Sequence, residues 1–72
     1  MTKIKKIKIR LNGKTKIIKD NYKILNLIND LKLPKKKVAI ELNQKILDKK
    51  KLGKIKIKNN DKIEIVHFIG GG

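Results

Sequence analysis

The sequence predicts an α+β fold in which one helix packs across one mixed β-sheet. Short segments alternate apolar and basic residues, which is the period of strands with one buried face. One stretch before Pro34 has instead the apolar spacing of a helix. The chain has 72 residues with one Phe, one Tyr and no Trp, so we expect one domain with a small aliphatic core.

Two strands and a tight turn are predicted near the start of the chain. Residues 7–11 alternate apolar and basic side chains, and residues 14–19 form the return strand. Asn12 and Gly13 between them favour a type I′ turn, because both residue types tolerate a positive φ angle. The alternation leaves open whether Ile17 or Ile18 faces the core.

The helix is expected to begin after Asp20 and Asn21, whose side chains can accept hydrogen bonds from its first N–H groups. It ends at Leu33 or slightly earlier, because Pro34 disfavours a helical conformation at the residue before it. Its apolar stripe contains Ile24, Leu25, Ile28 and Leu31, with Leu27 at the edge.

The second half of the chain predicts further extended segments. A third strand covers residues 38–42, a turn follows at Asn43 and Gln44, and residues 45–47 continue extended. In the polar connection that follows, Leu52 is expected to plug the underside of the core. Ile55 and Ile57 predict a short strand, and residues 59–61 predict a turn in which Asn adopts the left-handed conformation.

The last strand contains Ile63 and Ile65 and has His67 or Phe68 near its end. Both of its faces are apolar there, which is typical of a central strand covered on both sides. If this strand lies beside the first one, the order of elements is that of the β-grasp fold of ubiquitin, with a mixed sheet of four to five strands. The order alone is also compatible with other α+β folds.

The formal net charge of +15 suggests an anionic partner. Among the 21 basic residues only Arg10 is arginine, the residue best suited to bidentate contacts with phosphates and bases. Lysine, isoleucine and asparagine are enriched together, and all three have A/T-rich codons. We therefore expect no nucleic-acid partner and favour an acidic protein partner. No apolar segment is long enough to span a bilayer, so we expect no membrane partner.

The residues that carry most enzyme chemistry are missing or scattered. The sequence contains no cysteine and no serine, so it has no thiolate metal site and neither of these nucleophiles. His67 stands alone among the potential metal ligands and is interpreted as a strand residue that packs or meets a partner. No Gly-rich loop precedes a helix, so we expect no bound cofactor. The sequence predicts a protein that is not an enzyme and has no catalytic residue of its own.

The distinctive reactive group is the carboxylate of Gly72, at the end of a run of three glycines. Because glycine lacks a Cβ, such a tail is thin and can thread its carboxylate into a narrow pocket on another protein. We expect residues 1–69 to form the domain and residues 70–72 to form a flexible tail, disordered after Ile69. A frayed terminus is the alternative interpretation.

Two segments carry a specific resemblance. Residues 38–43 read Val-Ala-Ile-Glu-Leu-Asn, and residues 66–72 read Val-His-Phe-Ile-Gly-Gly-Gly. They resemble the ThiS family of thiamine-pathway sulfur carriers, which typically has Val-Ala-Val-Glu-Leu-Asn-Gly and Val-His-Phe-Val-Gly-Gly-Gly. The chain departs from the family pattern at four positions. Gln44 and Asn60 replace Gly, Asp48 replaces a common Pro, and Leu52 replaces a common Trp.

The resemblance implies how the tail works. An E1-like, ATP-dependent partner of the ThiF type adenylates the carboxylate of Gly72, and sulfur from a cysteine desulfurase or sulfurtransferase replaces AMP to give a thiocarboxylate. A thiazole synthase of the ThiG type takes this sulfur into the thiazole of thiamine. Only the activating partner uses ATP. The implied partner-binding residues are His67, Phe68, Ile69, Gly70 and Gly71.

Several alternatives share the Gly-Gly ending. They are a sulfur carrier for molybdopterin, as in the MoaD family, a carrier for tRNA thiolation, and a ubiquitin-like protein modifier that forms isopeptides. Partner identity separates the first two from a thiamine carrier, and covalent adducts of high mass would reveal the third. We expect a cytoplasmic protein, or one of an organellar stroma if the gene is plastid-encoded.

Overall fold

The computed structural model describes residues 5–67, and within them the chain forms one mixed sheet with one α-helix. Two short 3₁₀ helices, Lys35–Lys37 and Lys49–Lys51, lie in the connections. The strands are β1 (Lys6–Leu11), β2 (Lys14–Lys19), β3 (Val38–Leu42), β4 (Lys45–Ile46) and β5 (Lys62–His67), and the helix is α1 (Ile24–Asp30).

The sheet has the strand order β2-β1-β5-β3-β4, so the last strand lies at its centre. β5 runs parallel to β1 and antiparallel to β3, while β2 and β4 form the two edges. The last strand therefore lies beside the first, as predicted, and the β-grasp arrangement is confirmed with five strands.

The β1–β2 hairpin forms as the sequence predicts. Asn12 and Gly13 have φ angles of 50° and 81°, the left-handed values that a type I′ turn requires. The register places Ile18 opposite Ile7 on the side that faces the helix. Ile18 is accordingly buried, whereas Ile17 points to the opposite face and is 55% exposed.

The core is aliphatic and lies between α1 and one face of the sheet. Because the helix begins at Ile24, its buried stripe follows the i, i+3, i+4 spacing. Leu27, which we expected at the edge of the stripe, is fully buried, and Leu25 and Leu31 are only partly buried. The buried residues are Ile9, Ile18, Ile24, Leu27, Ile28, Val38, Ile40, Leu52, Ile57 and Ile63.

The start of the helix differs from the prediction. The helix begins at Ile24, so Asp20 and Asn21 are too far upstream to cap it, and the Asp20 carboxylate accepts a hydrogen bond from the Asn21 N–H instead. At the true start, the Asn26 side chain accepts a hydrogen bond from the Lys23 N–H at 2.8 Å. The predicted end is confirmed, because the helix stops at Asp30, before Pro34.

The segment between β4 and β5 is less regular than predicted. Ile55 and Ile57 do not form a strand, since this segment makes only one isolated bridge, between Lys56 and Lys23. Ile57 is nevertheless fully buried, so its apolar character reflects packing and not strand pairing. Leu52 is buried as expected and plugs the core.

Three of the four departures from the family pattern have a structural explanation. Gln44 and Asn60, which stand where the family usually has Gly, adopt φ angles of 73° and 71°. Both residues therefore keep the left-handed conformation that glycine would favour. The carboxylate of Asp48 accepts a hydrogen bond from the Lys50 N–H at 2.9 Å and caps the second 3₁₀ helix.

Candidate functional site

β5 is the element that leads to the C-terminal tail. His67 is its last residue and is exposed. The other predicted site residues lie outside the described residues, as do the proposed domain boundary at residue 69 and the predicted disorder beyond it. These residues are Phe68, Ile69, Gly70, Gly71 and Gly72.

The end of β5 is covered on one face only, which corrects the prediction of a doubly covered strand. The helix packs against the face that contains Ile63, and within residues 5–67 no element covers the opposite face. Val66 lies on that open face and is 55% exposed, although β5 is central in the sheet. Its apolar character therefore does not reflect burial by the elements within residues 5–67.

A buried carboxylate holds the beginning of β5. Asp61 accepts hydrogen bonds from the backbone N–H of Lys58 at 2.7 Å and from the side-chain amide of Asn43 at 3.0 Å. The Asn43 side chain also accepts a hydrogen bond from the Lys62 N–H at 2.9 Å. Because a buried carboxylate needs such donors, these bonds fix the position at which the chain enters β5.

Asn12 makes the corresponding contacts further along β5. Its side-chain oxygen accepts a hydrogen bond from the Ile65 N–H at 2.7 Å, and its amide nitrogen donates one to the Ile65 carbonyl at 3.3 Å. We predicted Asn12 and Asn43 as turn residues only and missed these bonds. Asparagine side chains often bond nearby backbone groups, but the sequence does not reveal that β5 supplies those groups.

An open groove of about 350 Å³ lies beside the end of β5. Leucines from β1 and from the chain after α1 form much of its wall, and Asn12 and His67 supply polar groups. His67 forms part of the groove wall, so the groove lies beside the residue after which the chain continues to the tail. The lining residues are Leu11, Asn12, Leu31, Leu33, Ile65 and His67.

The open face of the sheet carries a local acidic pair on an otherwise basic protein. Glu41 of β3 lies directly opposite Glu64 of β5 in the antiparallel register. Val66 and Ala39 form the pair two residues further along β5. Two like charges opposite each other destabilise a sheet slightly, so this pair contributes to the shape and charge of the surface and not to stability.

Tyr22 and Asp30 form a polar contact near the edge strand β2. The Tyr22 hydroxyl donates a hydrogen bond to the Asp30 carboxylate. This bond and the nearby negative charge raise the pKa of Tyr22 above its ordinary value. The pair borders a cavity with the basic residues Lys6, Lys16 and Lys19, far along the chain from the tail.

The described part of the chain lacks two features that would indicate other functions. Among residues 5–67, no three His, Cys, Asp or Glu side chains come together in an arrangement that could hold a metal ion. In the same residues, no helix has the length and apolar character needed to cross a membrane.

A family model shows which proteins this chain is related to. The model of the ThiS family matches residues 9–72, which include β5 and the three terminal glycines. The chain belongs to the ThiS family. The resemblance seen in the two sequence segments is thereby confirmed over most of the chain.

Known ThiS proteins agree with this assignment in sequence and in structure. The sulfur carrier protein ThiS of Bacillus subtilis is 40% identical over 65 residues, which cover 89% of this chain and 98% of that protein. The crystal structure of the thiamine biosynthesis protein ThiS from Geobacter metallireducens superposes with a TM-score of 0.80 at 26% identity. That match covers 92% of this chain and 100% of the other.

A larger protein also contains a ThiS-like segment. A thiazole synthase of Paramagnetospirillum magneticum is 33% identical over 66 residues, which cover 92% of this chain but only 20% of that protein. The chain therefore corresponds to about a fifth of that synthase.

The segment that matches the ThiS family includes the exposed end of the central strand β5 and the residues that follow it in the sequence. Among the predicted site residues, His67 is the one that lies within residues 5–67, and it is the last residue of β5. Around it are the groove on the helix side and the Glu41–Glu64 pair on the open side. Both surfaces lie beside the last described residue of β5.

Proposed function

We propose that this sulfur carrier of the thiamine pathway works through the carboxyl group of Gly72. The observation that carries the proposal is the match to the ThiS family model through the terminal glycines. The class of function, sulfur carriage in thiamine biosynthesis, follows from membership of the family. The fold supports it, because β5 leads from the centre of the sheet to the tail.

The proposed chemistry has two steps on the tail. In the first, a carboxylate oxygen of Gly72 attacks the α-phosphorus of ATP in an E1-like partner, and pyrophosphate leaves. The resulting acyl-adenylate has a good leaving group, which the free carboxylate lacks. In the second, sulfur at the oxidation level of sulfide attacks the carbonyl carbon, AMP leaves, and a thiocarboxylate remains. A cysteine desulfurase or sulfurtransferase carries this sulfur as a persulfide, and a thiol reductant releases it as sulfide while being oxidised to a disulfide.

In this proposal the chain is a cosubstrate and not an enzyme. The activating partner binds and uses ATP, and the carrier contributes the reactive carboxyl group and the surface around it. Gly70 and Gly71 allow the tail to lie extended in a narrow channel, because they have no Cβ. Phe68, Ile69 and His67 contact the partner beside that channel.

A thiazole synthase of the ThiG type is the proposed acceptor of the sulfur. The supporting observation is that a thiazole synthase includes a segment similar to nearly the whole of this chain. Fusion of two proteins into one chain favours partners that act on each other, because it raises their effective concentration. Transfer would take place in the compartment that holds both partners, either the cytoplasm or an organellar stroma.

Intact-protein mass spectrometry tests the sulfur-carrying step. The chain is incubated with ATP, a ThiF-type enzyme, a cysteine desulfurase, cysteine and a thiol reductant. We expect a mass gain equal to the exchange of one oxygen for one sulfur.

Two variants serve as controls for this measurement. Deletion of Gly72 and addition of one alanine after it both displace the reactive carboxyl group, and both should abolish the mass gain. If the wild-type chain gains no sulfur with active partners, or if the variants gain it equally well, the proposed role of Gly72 is wrong.

A further inference from the structure

Asn12 lies at the point where β1 ends and β5 continues toward the tail. The register between the two strands stops at Leu11 opposite Ile63. The Asn12 N–H then donates a hydrogen bond to the Ile63 carbonyl at 2.9 Å, and the backbone turns away into the hairpin. Beyond Ile63, β1 supplies no backbone partner for β5 in this register.

Beyond this point, the side chain of Asn12 supplies the hydrogen bonds that a longer β1 would supply. Its carboxamide accepts a hydrogen bond from the Ile65 N–H and donates one to the Ile65 carbonyl, as a peptide group of a neighbouring strand would. These two bonds extend the ladder on this side of β5 to a point two residues before His67.

From this geometry we propose that Asn12 is a positioning residue for the C-terminal tail. It acts through Ile65, and by fixing β5 there it sets the position and direction in which the chain leaves the sheet. The proposal rests on the proposed function, because the benefit appears when a partner receives the tail. It adds a residue of the first hairpin, far from the tail in sequence, to the machinery that presents Gly72.

The turn conformation of Asn12 is what makes these bonds possible. Asn12 has a φ angle of 50° and is followed by Gly13 at 81°. Asparagine is common in such turns for its tolerance of the left-handed conformation, and this would explain Asn12 without any role for its side chain. Glycine tolerates the same conformation, so replacing Asn12 by glycine keeps the turn and removes only the carboxamide.

Asn43 provides a matched control in the same protein. It also has a φ angle of 50°, it also opens a turn, and its side chain also accepts a hydrogen bond from a β5 N–H group. That group belongs to Lys62, the first residue of β5, so the bond lies at the end of the strand that is away from the tail. A general effect of loosening β5 should therefore appear in both variants, and an effect on tail presentation only in the Asn12 variant.

The structural consequence is tested by hydrogen exchange measured with NMR on the wild type, Asn12→Gly and Asn43→Gly. Exchange at Ile65 is normalised to the slowest core amides, which report global unfolding. The loss of one hydrogen bond should speed exchange at Ile65 by about 3- to 10-fold in Asn12→Gly. Unchanged protection of Ile65 in Asn12→Gly would overturn the proposal.

The functional consequence is tested with the same variants in adenylation by a ThiF-type enzyme, at a temperature where all remain folded. A looser strand end must be ordered on binding, so KM should rise about 3- to 10-fold in Asn12→Gly while kcat stays unchanged. Asn43→Gly should keep the wild-type KM. Asn12→Asp, which retains the acceptor for the Ile65 N–H but not the donor, should recover part of the loss.

The outcomes separate this proposal from the proposed function. If the wild-type chain is adenylated and Asn12→Gly has the same KM, the positioning role is wrong while the carrier function stands. An equal rise of KM in Asn12→Gly and Asn43→Gly would also overturn it, by showing only a general effect on β5. If the wild-type chain is not adenylated by an active enzyme, both proposals fall together.

Discussion

The two ends of β5 differ sharply although they belong to one six-residue strand. At its beginning, Ile63 is fully buried, β1 and β3 flank the strand, and the buried Asp61 anchors the preceding turn. At its end, Val66 and His67 are exposed and pair with Ala39 and Val38 of β3. On the other side, the hydrogen bonds furthest along β5 among the described residues come from the side chain of Asn12.

We infer from this difference that the beginning of β5 stabilises the fold and that its end serves the reactions with partners. The beginning of β5 contributes buried apolar area and satisfied hydrogen bonds, which hold the fold together. The end contributes little buried area, but it is the part from which the chain continues to the three terminal glycines. We therefore expect substitutions at the beginning to change the free energy of unfolding, and substitutions at the end to change the reactions with partners.

The largest effect on stability is expected for Ile63→Ala. This substitution removes a fully buried side chain from the centre of the core and should lower the free energy of unfolding by about 2–5 kcal/mol. Val66→Ala, three residues further along, is the control and should change it by less than about 0.5 kcal/mol, because the side chain is exposed. Urea denaturation measures both, and equal losses would contradict the separation of the two ends.

A smaller loss of stability is expected for Asp61→Ala. The backbone N–H of Lys58 and the side-chain amide of Asn43 would then lose their acceptor. Leaving such donors unsatisfied in a buried place costs about 1–3 kcal/mol, which urea denaturation can detect. A variant as stable as the wild type would show that Asp61 does not anchor the start of β5.

His67→Ala tests the opposite end. The side chain is exposed, so the free energy of unfolding should change by less than about 0.5 kcal/mol. The KM for the activating enzyme should nevertheless rise, by about 3-fold or more, because a truncated contact beside the tail weakens binding. A large fall in stability with an unchanged KM would reverse the assignment of this end to function.

The smallest effect concerns the exposed hydrogen bond between Tyr22 and Asp30, which lies outside β5. We expect this bond to change the free energy of unfolding very little. The pKa of Tyr22 is raised because its hydroxyl donates to the Asp30 carboxylate, whose negative charge opposes ionisation. The neutral form is favoured in the folded state, so this small contribution to stability is lost as the pH rises through the raised pKa.

Asp30→Asn removes the charge and should move the pKa of Tyr22 down, toward its ordinary value. Absorbance of the phenolate measures this pKa cleanly, because the chain has one Tyr and no Trp. Circular dichroism at each pH verifies that the chain remains folded. A pKa that does not fall in Asp30→Asn would show that the carboxylate does not control Tyr22.

The sequence allowed most of the architecture to be predicted, because strong local signals determine it. The Asn12-Gly13 turn, the alternation of residues 38–42 and the break before Pro34 all act over a few residues. The predictions that were wrong concern residues whose burial or conformation depends on tertiary packing. Ile57 is apolar because it fills the core, although the chain around it forms no strand, and the exact start of α1 decides which of its leucines are buried.

The site was predictable only in part. The terminal glycines and His67 stood out in the sequence, because their residue types and their position at the end of an apolar strand are distinctive. The role of Asn12 was not predictable, since the partner of its side chain is Ile65, 53 residues away. The turn residue and the strand end meet only because the fold places β5 beside β1.

The most direct test of the central claim follows one sulfur atom from the carrier to its acceptor. The chain would be charged with ³⁵S, freed of the activating enzyme, and mixed with a ThiG-type thiazole synthase and its other substrates. We predict that the label leaves the chain and appears in the thiazole product in a single turnover. Label that stays on the chain with an active synthase, or that moves instead to a molybdopterin precursor or to tRNA when these acceptors and their enzymes are supplied, would contradict the account.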